Sequence, residues 1–174
     1  MRHLLGPIGI AASAASLVWI RSAALRDLEG LSEHFGNLSQ SSRHNRFMGP
    51  VSNIAKIAFD CLKHGERADR FTLVAETREQ GRDTIIGEAA YGFDCEQEWG
   101  EFAISVADRW QRHGVGSALL DALQFRAISL GHFELFGESL KTNQEMKSLA
   151  RKVGLASTRS PDWRAVRFEK RLSA

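Results

Sequence analysis

The sequence predicts an α/β fold: a mixed, mainly antiparallel sheet of about six to seven strands flanked by about four helices. Three observations predict it. Residues 71–76, 84–93 and 101–106 are strand-like runs joined by short polar turns, which gives antiparallel strands in succession. From residue 115 the apolar spacing changes from two to the helical period, with Val115, Leu119, Ala122, Leu123, Ala127 and Leu130 on one face. A second apolar run at 132–138 then closes a strand-helix-strand unit.

Taken in order, residues 4–20 carry no charge and contain Ala11-Ala12-Ser13-Ala14-Ala15 behind Arg2 and His3. That loosely resembles a short secretory signal. Its glycines, proline and serines make it a poor membrane span, and residues 1–16 are expected to be a poorly structured or lead-in segment before one domain over 17–174. Residues 17–20 read as a short strand. Leu25, Leu28, Leu31 and Phe35 give a helix over 24–35, a short helix is open around 41–47, and Gly49-Pro50 breaks the chain before a helix over 51–62. Phe71, Leu73 and Ala75 alternate with Thr72, Val74 and Glu76. The charged, Gly-containing segment 79–83 suits a hairpin turn, and 94–99 is an acidic loop. Gly131 is placed to end the long helix. Thr142 or Asn143 heads a further helix to about 153, with Gly154 behind it, and 156–160 with 165–171 form a last hairpin.

Composition narrows the function. A net charge of +2 gives no electrostatic case for nucleic-acid binding. Cys61 and Cys95 are the two cysteines, and the six histidines show no metal-ligand spacing, so no metal is expected. A cytoplasmic protein with no membrane association is expected.

The chemistry-bearing stretch is Gln111-Arg112-His113-Gly114-Val115-Gly116-Ser117, between the strand 101–106 and the long helix. A glycine turn that opens a helix offers free backbone N–H groups and partial positive charge, which suits a phosphate. It lies at the carboxyl end of a strand, where open α/β sheets bind ligands. No Lys follows the last Gly, so it is not a nucleoside-triphosphate loop. Leu119 stands where a dinucleotide motif needs its third Gly. What remains is Gln-x-x-Gly-x-Gly.

That loop resembles the pyrophosphate loop of the GNAT superfamily of acyl-CoA-dependent N-acyltransferases. The Glu-Phe-Ala-Ile-Ser-Val strand before it, and the helix headed by Asn143 with Met146, Leu149 and Gly154-Leu155 after it, are similar to the family's pattern over about residues 17–172. Residues 38–47, Leu-Ser-Gln-Ser-Ser-Arg-His-Asn-Arg-Phe, resemble the Leu-Ser-x-x-Ser-x-x-x-Arg-Phe segment of bacterial protein-lysine acetyltransferases. A fold shared with them does not prove a shared substrate.

The resemblance implies acetyl-CoA as co-substrate and a primary amine as acceptor, with direct transfer in a ternary complex. Gln111, Arg112, His113, Gly114, Val115, Gly116 and Ser117 would hold the pyrophosphate. Ser105 and Val106 would meet the thioester and the pantetheine arm, which Asn143 and Met146 would also contact. Glu101 would be the general base, since an attacking alkylammonium has a pKa of about 10 and must lose a proton; Glu88 and Glu138 are further candidates. Many members carry a Tyr that protonates the departing thiolate, and its position here is Ala150. Ser139 or water would serve instead, because a thiol pKa of about 8.5 makes CoA a fair leaving group. Asp94, Glu96 and Glu98 with Glu101 favour a cationic acceptor, either a protein lysine or a small amine such as a polyamine or antibiotic. An inactive CoA-binding sensor or scaffold is the reading of another class, and a homodimer is left open.

Overall fold

A computed structural model describes residues 4–12 and 16–173. The expectation for 1–16 falls partly outside those residues. Within them, 4–12 form a strand, β1 (Leu4–Ala12), paired antiparallel with β2 (Ser16–Ser22). A 3-10 turn at Leu25–Asp27 leads into α1 (Leu28–Asn37), followed by α2 (Gln40–Phe47) and α3 (Ile54–Leu62). Then come β3 (Arg70–Glu79), β4 (Arg82–Asp94) and β5 (Trp99–Val106). After α4 (Val115–Ser129) and β6 (Glu134–Leu140), the chain ends in α5 (Gln144–Lys152), β7 (Ala156–Arg159) and β8 (Ala165–Arg171).

The eight strands run in the order β1-β2-β3-β4-β5-β6-β8-β7. All neighbours are antiparallel except β5 and β6. The fold is therefore the mixed α/β class expected, with β1 the strand beyond the expected number. The β3–β4 hairpin closes on Gln80 and Gly81, both at positive φ, the conformation that matches the twist of the paired strands.

The helices cover the two faces of the sheet. On one face α4 buries Leu119, Leu120 and Leu123 completely against Ile20, Phe71, Ile86 and Phe168. On the other, Leu31 and Phe35 of α1 and Ala58 and Leu62 of α3 pack on Val74. Phe71, Leu73 and Ala75 do alternate onto one face, but Val74 is also fully buried, because this central strand is covered on both sides.

Candidate active site

Strands β5 and β6 pair only at Gly100↔Leu135 and Glu101↔Phe136, then separate toward their C-terminal ends. Phe102 holds the strands apart on the α4 face. Its ring lies where a Cβ on Gly137 would come within 2.6 Å of it, so β6 can cross there only as glycine. The gap opens into a cleft of about 510 Å³. Its walls are β5 from Phe102 to Val106, the end of β6, the 111–117 loop, α5, and α2, which rests on β5 and β6.

The loop delivers α4 to the cleft with its first turn uncovered. Gly114 is the N-cap at φ 88°, a conformation that suits glycine, and it has no side chain to occupy the N–H groups of Val115, Gly116 and Ser117. A Cβ on Gly116 would press on Leu149 at 3.2 Å, so this glycine lets α5 close against α4. Asn143 caps α5, accepting from Met146 N at 2.9 Å.

The cleft wall brings together Ser105, Val106, Gln111, Arg112, Gly114, Gly116, Ser117, Ser139, Asn143 and Met146. It leaves out four of the candidate catalytic and cofactor-binding residues: Val115, His113, Glu101 and Glu88, the last fully buried and so unable to meet an acceptor amine. Val115 is fully buried in the core. His113 is exposed and turned back on its own loop, Nδ1 lying 2.7 Å from Gln111 O. Glu101 stands exposed at the apex where the strands part, two positions before Ala103 on the same face. Glu138, on the opposite bank, does line the cleft. The acidic loop over 94–98 lies at the far end of β5 from Val106. The Gln111 side chain is structural as well as exposed to the cleft, donating to Val106 O at 3.1 Å and to Ser42 Oγ at 3.2 Å.

Beneath the wall runs a buried polar chain in which Ser105 and Glu88, read from the sequence as a cofactor contact and a base candidate, are joined to His34 and Arg46, a linkage the sequence did not show. Ser105 Oγ donates to Glu88 Oε1 at 3.0 Å, and Arg46 Nε donates to the same oxygen at 2.5 Å. With the Ser105 proton committed to Glu88, His34 Nε2, 2.9 Å from Ser105 Oγ, is the donor to it. Glu88 is fully buried. Burial opposes the charge on Arg46, but the attraction of Glu88 outweighs it and raises the Arg46 pKa, with Glu101 adding a smaller pull. Burial drives His34 down to about 4, against the opposite pull of Glu88, so the ring is neutral near pH 7. The signal for His34 was present: it falls on the buried stripe of α1 beside Leu31 and Phe35.

The serines of the 38–47 segment have a structural task. Asp108 accepts from Ser39 N at 2.9 Å and from Ser39 Oγ and Ser42 Oγ, both at 2.7 Å. Burial alone would raise the Asp108 pKa, and these donors hold it low instead. Leu38 is buried and Phe47 packs edge-on against Phe35, so the segment docks α2 across the cleft.

The model of the Acetyltransferase (GNAT) family matches residues 41–155, which hold the loop, both splayed strands and the helix headed by Asn143. The chain belongs to the GNAT acetyltransferase family. This GNAT acetyltransferase is 27% identical to a Pseudomonas aeruginosa acetyltransferase over 145 residues, 83% of this chain and 78% of that protein. Its fold is similar to the crystal structure of the GNAT domain of S. lividans PAT, with TM-score 0.83 and 25% identity over 96% of each chain. It also resembles yncA, a putative acetyltransferase from Salmonella typhimurium solved with acetyl-CoA (TM-score 0.68, 18% identity, 90% of this chain and 94% of that one). Among the described residues, no helix is long and apolar enough to cross a membrane.

Proposed function

We propose that this enzyme moves an acetyl group from acetyl-CoA to a primary amine by direct attack in a ternary complex. The observation that carries the reading is the uncovered first turn of α4 at one end of a cleft whose other end is a pair of splayed strands. The α4 N–H groups, with Arg112 and Lys152 on the same wall, suit a pyrophosphate. Beyond their last paired row, β5 and β6 have backbone groups free to bond the pantetheine arm and the thioester. An N–H near Ser105 would meet the tetrahedral oxyanion. The related yncA structure contains acetyl-CoA, which agrees with this use of the cleft.

Glu101 at the strand apex would take the proton of the incoming amine, through water where the distance requires it. The departing CoA sulfur would take a proton from water or from Ser139, which is buried on β6 and lines the cleft. Ala150, fully buried in α5, contributes none. The acceptor favoured is a lysine side chain, from the resemblance of residues 38–47 and the likeness to the S. lividans PAT domain; a polyamine is the second reading.

Thiol release from acetyl-CoA, measured with lysine peptides, polyamines and aminoglycosides, tests the proposal. Glu101→Gln is expected to lower kcat by about 10²- to 10⁴-fold while leaving acetyl-CoA binding intact. Tight CoA binding without turnover of any amine would point to a sensor or scaffold instead.

A further inference from the structure

The cleft wall carries charges of both signs, and among them Asp108 is already bonded to Ser39 and Ser42. Arg112 and Lys152 stand near the α4 N-terminus, whereas the strand apex carries carboxylates. Glu101↔Phe136 is the last pair that β5 and β6 make. Side chains two residues apart share a face, so the next positions on that face are Ala103 and Glu138, now on opposite banks of the gap. Both line the cleft. Ala103 presents only a methyl group, which leaves the approach to the thioester strand open. Glu138 is half-buried and brings a carboxylate to the other bank.

The register offers Glu138 a partner that it does not use. Arg167 sits directly opposite on β8, a position from which a cross-strand ion pair would form. Arg167 instead pairs with Glu169 at 2.7 Å and lays its guanidinium 3.7 Å from the Phe136 ring centroid and 5.3 Å from that of Trp99. Among the described residues the Glu138 side chain forms no hydrogen bond or ion pair. Arg46, which also lines the cleft, is bound to Glu88.

We propose that Glu138 is the acceptor-binding residue that selects a cationic amine, holding the alkylammonium across the gap from Ala103. This rests on the acetyl-transfer reading above. The ammonium gives one proton to Glu101, and its nitrogen then attacks the thioester carbonyl carbon. Collapse of the tetrahedral adduct breaks the C–S bond. The CoA thiolate leaves and is protonated, and the new amide loses its second proton to water. The nitrogen is cationic in the bound ammonium and again in the tetrahedral adduct, so Glu138 holds ground state and transition state alike and its effect falls on KM rather than on kcat.

The test is steady-state kinetics of the full chain with acetyl-CoA and either a lysine peptide or spermidine, comparing wild type with Glu138→Gln. For an amine that wild type acetylates, the amine KM is expected to rise about tenfold, as for loss of a hydrogen bond to a charged group. The kcat and the acetyl-CoA KM should stay within about twofold, and the fall of kcat/KM with added salt should flatten. An unchanged amine KM with an unchanged salt dependence overturns the inference. Glu138→Asp, which keeps the charge on a shorter stem, should fall between the two. It separates charge from packing, and it carries the same comparison should Glu138→Gln not fold. A wild-type protein that releases no thiol with either amine overturns the acetyl-transfer reading for these amines, and this inference with it.

Discussion

Gly114 joins backbone geometry to binding in one residue. Its φ of 88° strains any side chain, and a carboxylate there would also face the phosphates the α4 N-terminus is built to receive. Gly114→Asp is therefore expected to raise the acetyl-CoA Kd at least about tenfold, roughly 1.4 kcal/mol, with the circular dichroism spectrum unchanged. Calorimetry checks it, and an unaltered Kd would remove the loop from the cofactor site. This residue was legible because its neighbours in sequence are its neighbours in space. Glu88 was harder. It is the single charged residue of the run 84–93 and was legible as a base candidate, but its partners were not: the β4–β5 register sets it opposite Ser105, where α2 brings Arg46 onto it. A fully buried carboxylate with two donors on one oxygen depends on contacts 17 and 42 residues away in the chain, which periodicity does not report.

Among the helices α1 to α5, α2 has the least core of its own. It buries none of its residues completely, and it holds its place through the bonds of Ser39 and Ser42 to Asp108, the Arg46–Glu88 pair and Phe47. Since α2 also forms one wall of the cleft, its docking and cofactor binding are coupled. Asp108→Ala removes the acceptor for three hydrogen bonds at the helix start. The expected outcome is faster hydrogen exchange at residues 40–47 and a higher acetyl-CoA KM, with protection of α4 and β3 little changed. Exchange mass spectrometry reads this directly, and uniform loss of protection would show that Asp108 supports the whole domain rather than one element. Most element boundaries could be read from the sequence within a few residues, because strand and helix periods change at glycines and polar turns. β1 could not, since Gly6, Pro7 and Gly9 interrupt the alternation that marks a strand. Its pairing comes from β2, not from its own pattern.

At the scale of the whole molecule, the sheet separates two apolar clusters, and the polar chain of His34, Ser105, Glu88 and Arg46 is buried on the α1 side of it. Folding therefore encloses an imidazole that must remain neutral. Glu88 and Asp108 favour its protonation and Arg46 opposes it, but burial dominates and holds the folded pKa at about 4 against 6.5 for a free side chain. The sign follows from proton uptake. Between those values the unfolded chain binds the proton and the folded one does not, so acid favours unfolding. The His34 contribution is fully present above about pH 6.5, is lost progressively as the pH falls toward 4, and changes no further below that, a total of roughly 3 kcal/mol. Asp27 and Asp108, whose pKa values are lowered in the fold, add their own loss at more acidic pH. Urea unfolding at a series of pH values should show stability falling across the 6.5-to-4 window. His34→Gln keeps an N–H for Ser105 but cannot take up a proton, and it should flatten that window while leaving the loss at lower pH in place. An unchanged slope in the variant would mean that other groups carry the acid sensitivity and that His34 is free to protonate in the folded protein.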